Sequence, residues 1–342
     1  MERYLGIDVG SVTTKLVVID EDNSPIFTLY ERTNGRPVAA IQQAFSALSA
    51  EMGANFSIHG VGATGSGRQL ASIMAGADET RTEITAHATA AKQCCPEVGT
   101  VIDIGGQDSK VIFIRNGVST GFNMNTVCAA GTGSFLDHQA ARLGIPIEDF
   151  GEYAVRSTSP VKIAGRCGVF AESDLIHKQQ MGYPPEDLIA GLCISLARNF
   201  LQNVARDPQG RKIRPTVLFQ GGVAANIGMR AAFEMLINKP LFAPRHFKVM
   251  GAWGAALRAK RRLLRTREAT KFRGVDRIAT FACTPRSFSC SDCSNTCEIS
   301  ELYIDGDLVS RWGSRCGKWE NLSLSSAERH EETEAPLGMV TA

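Results

Sequence analysis

The feature that most constrains this chain is an internal repeat. Residues 7–19 read IDVGSVTTKLVVI and residues 102–114 read IDIGGQDSKVIFI. In register, Asp8 meets Asp103, Gly10 meets Gly105, Thr14 meets Ser109 and Lys15 meets Lys110. Each copy is an apolar strand, a turn opened by Asp-x-Gly, and a second apolar strand. That pattern is a β-hairpin with a glycine-containing, hydroxyl-rich tip. Two such hairpins far apart in the chain imply a duplicated α/β fold.

The segments between and after the copies fit that reading. Residues 38–52 carry helical apolar spacing, and 58–63 form a short strand ending in glycine. Helices are expected over 135–143 and 169–181, closed by Gly144 and Gly182, and over 188–205. A strand at 217–219 runs into Gly221-Gly222 and a helix to about residue 237, and Gly251 opens a last helix that turns basic from Arg258 to Arg273. That basic stretch lacks a pattern of alternating aromatic and basic residues, with Phe272 its one aromatic, so it reads as a solvated face or a dock for an acidic partner. The expected divisions are a first half over 1–90, a second half over 91–272, a cysteine-rich module over 273–320 and a disordered tail over 321–342. At roughly 150 residues per domain, 342 residues suffice for two cores.

Charge narrows the partners. Lys+Arg 37 against Asp+Glu 35 leaves a net charge of +2. A nearly neutral chain is not built around nucleic acid or an anionic membrane. No run approaches the ~18 apolar residues of a membrane span. Residues 1–4 lead directly into a strand-like run without a signal-peptide pattern, so a cytoplasmic location is expected.

An Asp at the mouth of a glycine hairpin suits phosphate binding. Backbone N–H groups at the tip face phosphate oxygens, and Gly10, Gly105 and Gly106 let the backbone approach closely. Ser11, Thr13 and Thr14 add hydroxyl donors and Lys15 adds charge. Asp8 and Asp103 can hold Mg²⁺ through its waters. Gln107, at the second tip, is placed to orient an attacking water. Gly221, Gly222, Val223 and Asn226 offer a close backbone approach for adenosine, with Gly251 following. These residues resemble the actin, hexokinase and heat-shock ATPase superfamily: two phosphate hairpins and then an adenosine turn, in that order, over residues 1 to about 265. The resemblance implies two ribonuclease-H-like halves with ATP in the cleft between them.

The chain has 10 cysteines. In a reducing compartment, clustered cysteines point to metal or redox work. Cys128 and Cys167 each precede a helix, where the partial positive charge favours an anionic sulfur ligand. Two thiolates are half the set for a [4Fe–4S] cluster, and a two-fold homodimer would supply the other half. VCAAGTGSFLD and RCGVFAESDLI are similar to the cluster motifs of ATP-dependent activators of 2-hydroxyacyl-CoA dehydratases and of the related benzoyl-CoA reductase ATPase subunits. LGIDVGSVTTK and QGGVAAN fit the same family. That resemblance implies ATP, Mg²⁺ and a [4Fe–4S] cluster held by Cys128 and Cys167 of two subunits. It implies a donor such as ferredoxin or flavodoxin, and an acceptor dehydratase or reductase component. Arg166, just before the second cysteine, departs from the family pattern and would raise the cluster's reduction potential.

Cys290-x2-Cys293-x3-Cys297 with Cys316 forms a four-thiol set suited to Zn²⁺ or a second iron–sulfur cluster. It resembles a segment of longer activase-like proteins. Cys94, Cys95 and Cys193 read as structural. The rival expectations are a small-molecule kinase of the same superfamily, which would need a carboxylate base facing a hydroxyl, and a nucleotide-dependent, zinc-bearing sensor.

Overall fold

A computed structural model describes residues 2–53, 56–125, 131–165 and 167–320 of the chain. Cys128, Arg166 and the expected disordered tail over 321–342 lie outside the described residues. The first half comprises β1 (Tyr4–Val9), β2 (Thr13–Ile19), β3 (Pro25–Arg32), α1 (Pro37–Met52), β4 (Gly60–Thr64), α2 (Arg68–Ala75) and β5 (Glu79–Thr80). Its sheet order is β3-β2-β1-β4-β5. α3 (Glu83–Cys94) leads to β6 (Thr100–Ile104), β7 (Ser109–Arg115), β8 (Val118–Asn125), α4 (Gly133–Leu143), α5 (Ile147–Arg156), α6 (Gly168–Gln180) and α7 (Pro185–Asn199). β9 (Val217–Gln220), α8 (Ile227–Ile237) and β10 (Leu241–Phe242) complete a second sheet in the order β10-β9-β6-β7-β8.

The two sheets share one topology. Each has an antiparallel hairpin, a third antiparallel strand outside it, and two parallel strands on the other side. The repeat therefore marks a true structural duplication. β1 is buried at every position, as a strand covered on both faces must be. β8 lies at a sheet edge and exposes Val118, Phe122 and Met124.

The chain then crosses back. α9 (Met250–Thr266) packs against the first sheet so closely that a Cβ on Gly6 would lie 1.7 Å from the Ala252 carbonyl oxygen. A Cβ on Gly62 would lie 2.1 Å from that of Ala255. One apolar cluster joins Tyr4 and Val17 to Val101 and Ile112 through Ala90 of α3 and Trp253 of α9. The halves are thus not contiguous in sequence, because α9 belongs against β1 and β4. Part of its basic stretch is used internally: Arg258 and Arg262 reach the buried Glu79 carboxylate at 3.2 and 3.4 Å.

α10 (Val275–Thr280) and a three-stranded sheet of β11 (Cys283–Ser289), β12 (Glu298–Ile304) and β13 (Asp307–Trp312) follow. This module is not a loose appendage. Ile278, Phe281, Leu302 and Ile304 share a core with Leu5, Ile7 and the α1 residues Ile41 and Phe45. The Asp78 carboxylate, which also accepts Val61 N–H at 2.8 Å, holds Thr270 Oγ1 at 2.7 Å and Lys271 N–H at 2.8 Å. The expected helix over 188–205 is two pieces, α7 and a π-helical turn over Phe200–Val204. No helix among the described residues is long and apolar enough to cross a membrane.

Candidate functional site

The two hairpins face one cleft. Its walls carry Asp8, Gly10, Ser11, Thr13 and Lys15 from the first, and Asp103, Gly105, Gly106 and Gln107 from the second, with Gly221 and Gly222 at one side. An adjoining cavity is lined by Val223, Asn226, Leu136 and Ile147, and shares Tyr30, Gly106, Gly222 and Lys248 with the first. A polar chamber joined to a more apolar one matches the needs of a phosphate chain and an adenosine.

The duplication is chemical as well as topological. Asp8 and Lys15 stand opposite each other across β1 and β2, with Nζ 3.0 Å from Oδ2. Asp103 and Lys110 stand opposite across β6 and β7, at 3.3 Å. The second pair has acquired more company. Lys110 Nζ also meets Asp108 at 2.7 Å and Glu83, at the start of α3, at 3.3 Å. His87, one turn further along α3, places Nε2 3.7 Å from Asp103 and receives Gln220's amide on Nδ1 at 2.6 Å.

These contacts separate the carboxylates. Burial alone would raise Asp103, but His87, Lys110 and Lys15 outweigh it and hold the group down at about 2. Glu83 goes the other way: burial raises it and Lys110 only partly offsets that. Burial opposes the charge of Lys15 and Lys110, yet Asp8 in the first case and Asp103, Asp108 and Glu83 in the second leave both raised. The two lysines stay charged and Asp103 stays ionised, while Glu83 is the carboxylate most ready to take a proton.

Two expected cleft residues lie elsewhere. Thr14 is fully buried, and its hydroxyl pairs with that of Thr33 at 3.0 Å. Strand alternation explains this: Thr13 and Lys15 share the cleft face, and Thr14 points to the other. Gly251 sits in α9 behind Asp8, where a Cβ would come 2.4 Å from Asp8 Oδ2 and 3.3 Å from His87 Cε1. Its role is to leave room for those side chains. The sequence reading passed over Glu83, His87, Tyr30 and Lys248, all of which line the cleft.

α4 is tied to the cleft by its backbone. Gly133 N–H donates to Gly105 O at 2.8 Å, and Ser134 N–H donates to Gly106 O at 2.9 Å. The helix that follows Cys128 therefore starts on the carbonyls of the second phosphate tip. Cys167 is the half-buried residue that caps the N-terminus of α6. Arg142 of α4 and Glu172 of α6 pair at 3.0 Å, which links the two cysteine helices. Val169 and Phe170, just after Cys167, are 70% and 66% exposed.

The C-terminal thiols share one end of the last sheet. Cys290 N–H donates to Cys297 O at 2.8 Å, closing the β11–β12 hairpin around Cys293. Lys318 pairs with Asp292 and so brings the Cys316 loop to that tip. Cys290 is buried, with its sulfur 3.3 Å from the Trp319 indole nitrogen, whereas Cys293 and Cys316 face solvent. Among the described residues, no three His, Cys, Asp or Glu side chains gather closely enough to hold a metal ion. The four thiols thus gather around one tip of the sheet, with the Cys290 sulfur beside Trp319.

Known proteins bear on this geometry. The model of the BadF/BadG/BcrA/BcrD ATPase family matches residues 5–259. The (R)-2-hydroxyglutaryl-CoA dehydratase activating ATPase of Acidaminococcus fermentans is 37% identical over 260 residues, 75% of this chain and 96% of that one. A benzoyl-CoA reductase subunit of Thauera aromatica is 30% identical over 269 residues, covering 74% and 91%. The crystal structure of component A of the A. fermentans dehydratase superposes with a TM-score of 0.71 at 35% identity, over 77% of this chain and 100% of that one. The Clostridium difficile 2-hydroxyisocaproyl-CoA dehydratase activator, solved with bound ADPNP, gives 0.71 at 31% identity, over 78% and 97%.

Proposed function

The chain belongs to the BadF/BadG/BcrA/BcrD ATPase family, and on that premise we propose that it hydrolyses ATP to drive a low-potential electron from a ferredoxin or flavodoxin to a dehydratase or reductase component. The observation that carries the reading is the backbone tie between the second phosphate tip and α4, because it connects the nucleotide cleft to Gly133, five residues after Cys128 in the sequence.

In the cleft, Lys15 and Lys110 supply positive charge to the phosphates, and the tip N–H groups supply hydrogen bonds. Asp8 and Asp103 face the cleft from opposite walls and would hold Mg²⁺, which neutralises phosphate charge. Glu83 accepts the proton of the attacking water, and Gln107 orients that water. The γ-phosphoryl then leaves ADP as inorganic phosphate. Tyr30, Val223 and Ile147 enclose the adenosine.

The chemistry of the two cysteines fits an iron–sulfur group. Cys167 presents a half-buried thiol at a helix N-terminus, which favours an anionic ligand. Cys128 and Cys167, with the same two residues of a second copy, would hold a [4Fe–4S] cluster, which supplies a one-electron carrier of low potential. Val169 and Phe170 are large apolar side chains left open beside Cys167, as a contact between two copies requires. Cys290, Cys293, Cys297 and Cys316 would offer a four-thiol set to Zn²⁺ or a second cluster, and no step is assigned to that end of the molecule.

The test is Cys167→Ala in protein purified without oxygen. The variant should bind ADP as the wild type does but lose its iron and its ATP-dependent reduction of the acceptor component. Full iron content in Cys167→Ala would remove the ligand assignment.

A further inference from the structure

Residues 161–165, the segment that delivers the chain to Cys167, do not lie on the surface as an ordinary loop. They run along α7 on a stripe spaced four residues apart. At Gly191 the two backbones touch: a Cβ there would come 2.1 Å from the Val161 carbonyl oxygen. At Ser195 the hydroxyl donates to Ala164 O at 2.8 Å. At Asn199 the side-chain amide donates to Gly165 O. Asp174 of α6 closes the other side by accepting Ala164 N–H at 2.9 Å.

Ser195 and Asn199 are nearly fully buried polar residues on a helix otherwise buried through Leu188, Leu192 and Leu196. Burying polar side chains on such a helix is costly unless they have specific partners, and here both donate to the one segment leading to Cys167. Asn199 does more. Its Oδ1 would lie 3.6 Å from a Cβ on Gly131, so the same amide borders Gly131, three residues after Cys128 in the sequence. Two residues further on, Gly133 is bonded to the phosphate tip. Directly after Asn199, α7 widens into the π turn Phe200–Val204, a local rearrangement often found at functional positions.

We propose that Asn199 is a positioning residue that holds the Cys167 segment in register with the nucleotide-anchored start of α4, with Gly191 and Ser195 as the track that leads to it. It lines neither chamber of the nucleotide cleft. It acts by fixing where the Cys167 segment sits relative to Gly131 and the start of α4, and by passing any shift of the phosphate tip from α4 to that segment. This inference rests on the proposed cluster at Cys128 and Cys167.

The experiment compares wild type with Asn199→Asp, which keeps the shape but replaces the donor to Gly165 by a carboxylate. Gly165→Ala perturbs the same track one step earlier, because its Cβ would come 3.3 Å from Ser195 O and Oγ. Iron per chain, the rate of iron release to an anaerobic chelator with ADP or with a non-hydrolysable ATP analogue, ADP affinity and the melting temperature are measured on each. Both variants should bind ADP with wild-type affinity, release iron about 10-fold faster, as losses of outer-shell support at metal sites do, and show the same release rate with either nucleotide. Release rates and nucleotide response equal to wild type would overturn the inference while leaving the cluster in place. A fall in ADP affinity and melting temperature that accounts for the faster release would also overturn it, since the residue would then be merely structural. A wild-type chain without iron would instead remove the proposed function, and this inference with it.

Discussion

Asp103→Asn tests the electrostatics of the cleft directly. Asp103 is 3% exposed and is held at about 2 by His87, Lys110 and Lys15 against the cost of its own burial. A carboxyl with an ordinary value of 3.8 that titrates at about 2 in the folded state stabilises it by roughly 2 kcal/mol at neutral pH, at 1.36 kcal/mol per pH unit. The sign follows from the depressed value. The contribution is complete above the unfolded value near 4 and is lost as pH falls through the folded value. The gap in unfolding free energy between wild type and Asp103→Asn should therefore be roughly 2 kcal/mol at pH 6 and shrink to roughly 1 kcal/mol at pH 3. Urea unfolding of nucleotide- and metal-free protein at several pH values measures it. Lys110 keeps Asp108 and Glu83 in the variant, so the lysine is not stranded without a counter-charge. A gap that stayed constant from pH 6 to pH 3, or was absent throughout, would refute the argument that these neighbours set Asp103's charge state.

Glu83→Gln should leave ADP affinity within about 3-fold and lower steady-state ATP hydrolysis by ~10²-fold or more, as loss of a general base does. Wild-type hydrolysis should rise with pH through Glu83's elevated value, and that limb should vanish in the variant; an unchanged limb would assign the base elsewhere. Gly6→Ala forces a Cβ into the Ala252 carbonyl and should cost several kcal/mol, whereas Gly121→Ala, with open space around it, should leave the urea midpoint unmoved. Iron analysis of anaerobically purified protein should return about two irons per chain for a cluster shared by two copies, and zinc or iron beyond that would assign a second metal to Cys290, Cys293, Cys297 and Cys316.

The duplicated hairpins were legible because the residues that matter are local. Asp and Lys seven positions apart become cross-strand partners in a hairpin whose loop has an even number of residues, as at Asp8–Lys15 and Asp103–Lys110, so one motif predicts both the turn and the ion pair. Thr14 shows where that reasoning needed the period of a strand as well: counted from Lys15, it falls on the buried face. Glu83 and His87 gave no local signal. They lie one turn apart on a helix whose sequence, EITAHATAAKQC, reads as an alanine-rich packing element, and their meaning depends on docking beside Asp103, a later strand residue. The return of α9 to the first sheet was hidden for the same reason. Gly6 and Gly62 look like weak strand residues until a helix backbone is found lying on them. Leu302 and Ile304 likewise alternate as in any half-buried strand, and nothing local says that the core they enter is that of the first half.

Duplication gave the cleft two equal walls, and the later additions made them unequal. Among the described residues, Lys15 pairs with Asp8, whereas Lys110 pairs with three carboxylates and lies beside the tip to which α4 is bonded. The cysteine helices hang from that second wall. α9, by contrast, is packed backbone to backbone on the first sheet, and the C-terminal module shares that sheet's core. The start of α4 is thus bonded to the second tip, and the Arg142–Glu172 pair and the α7 track join α6 to the same wall.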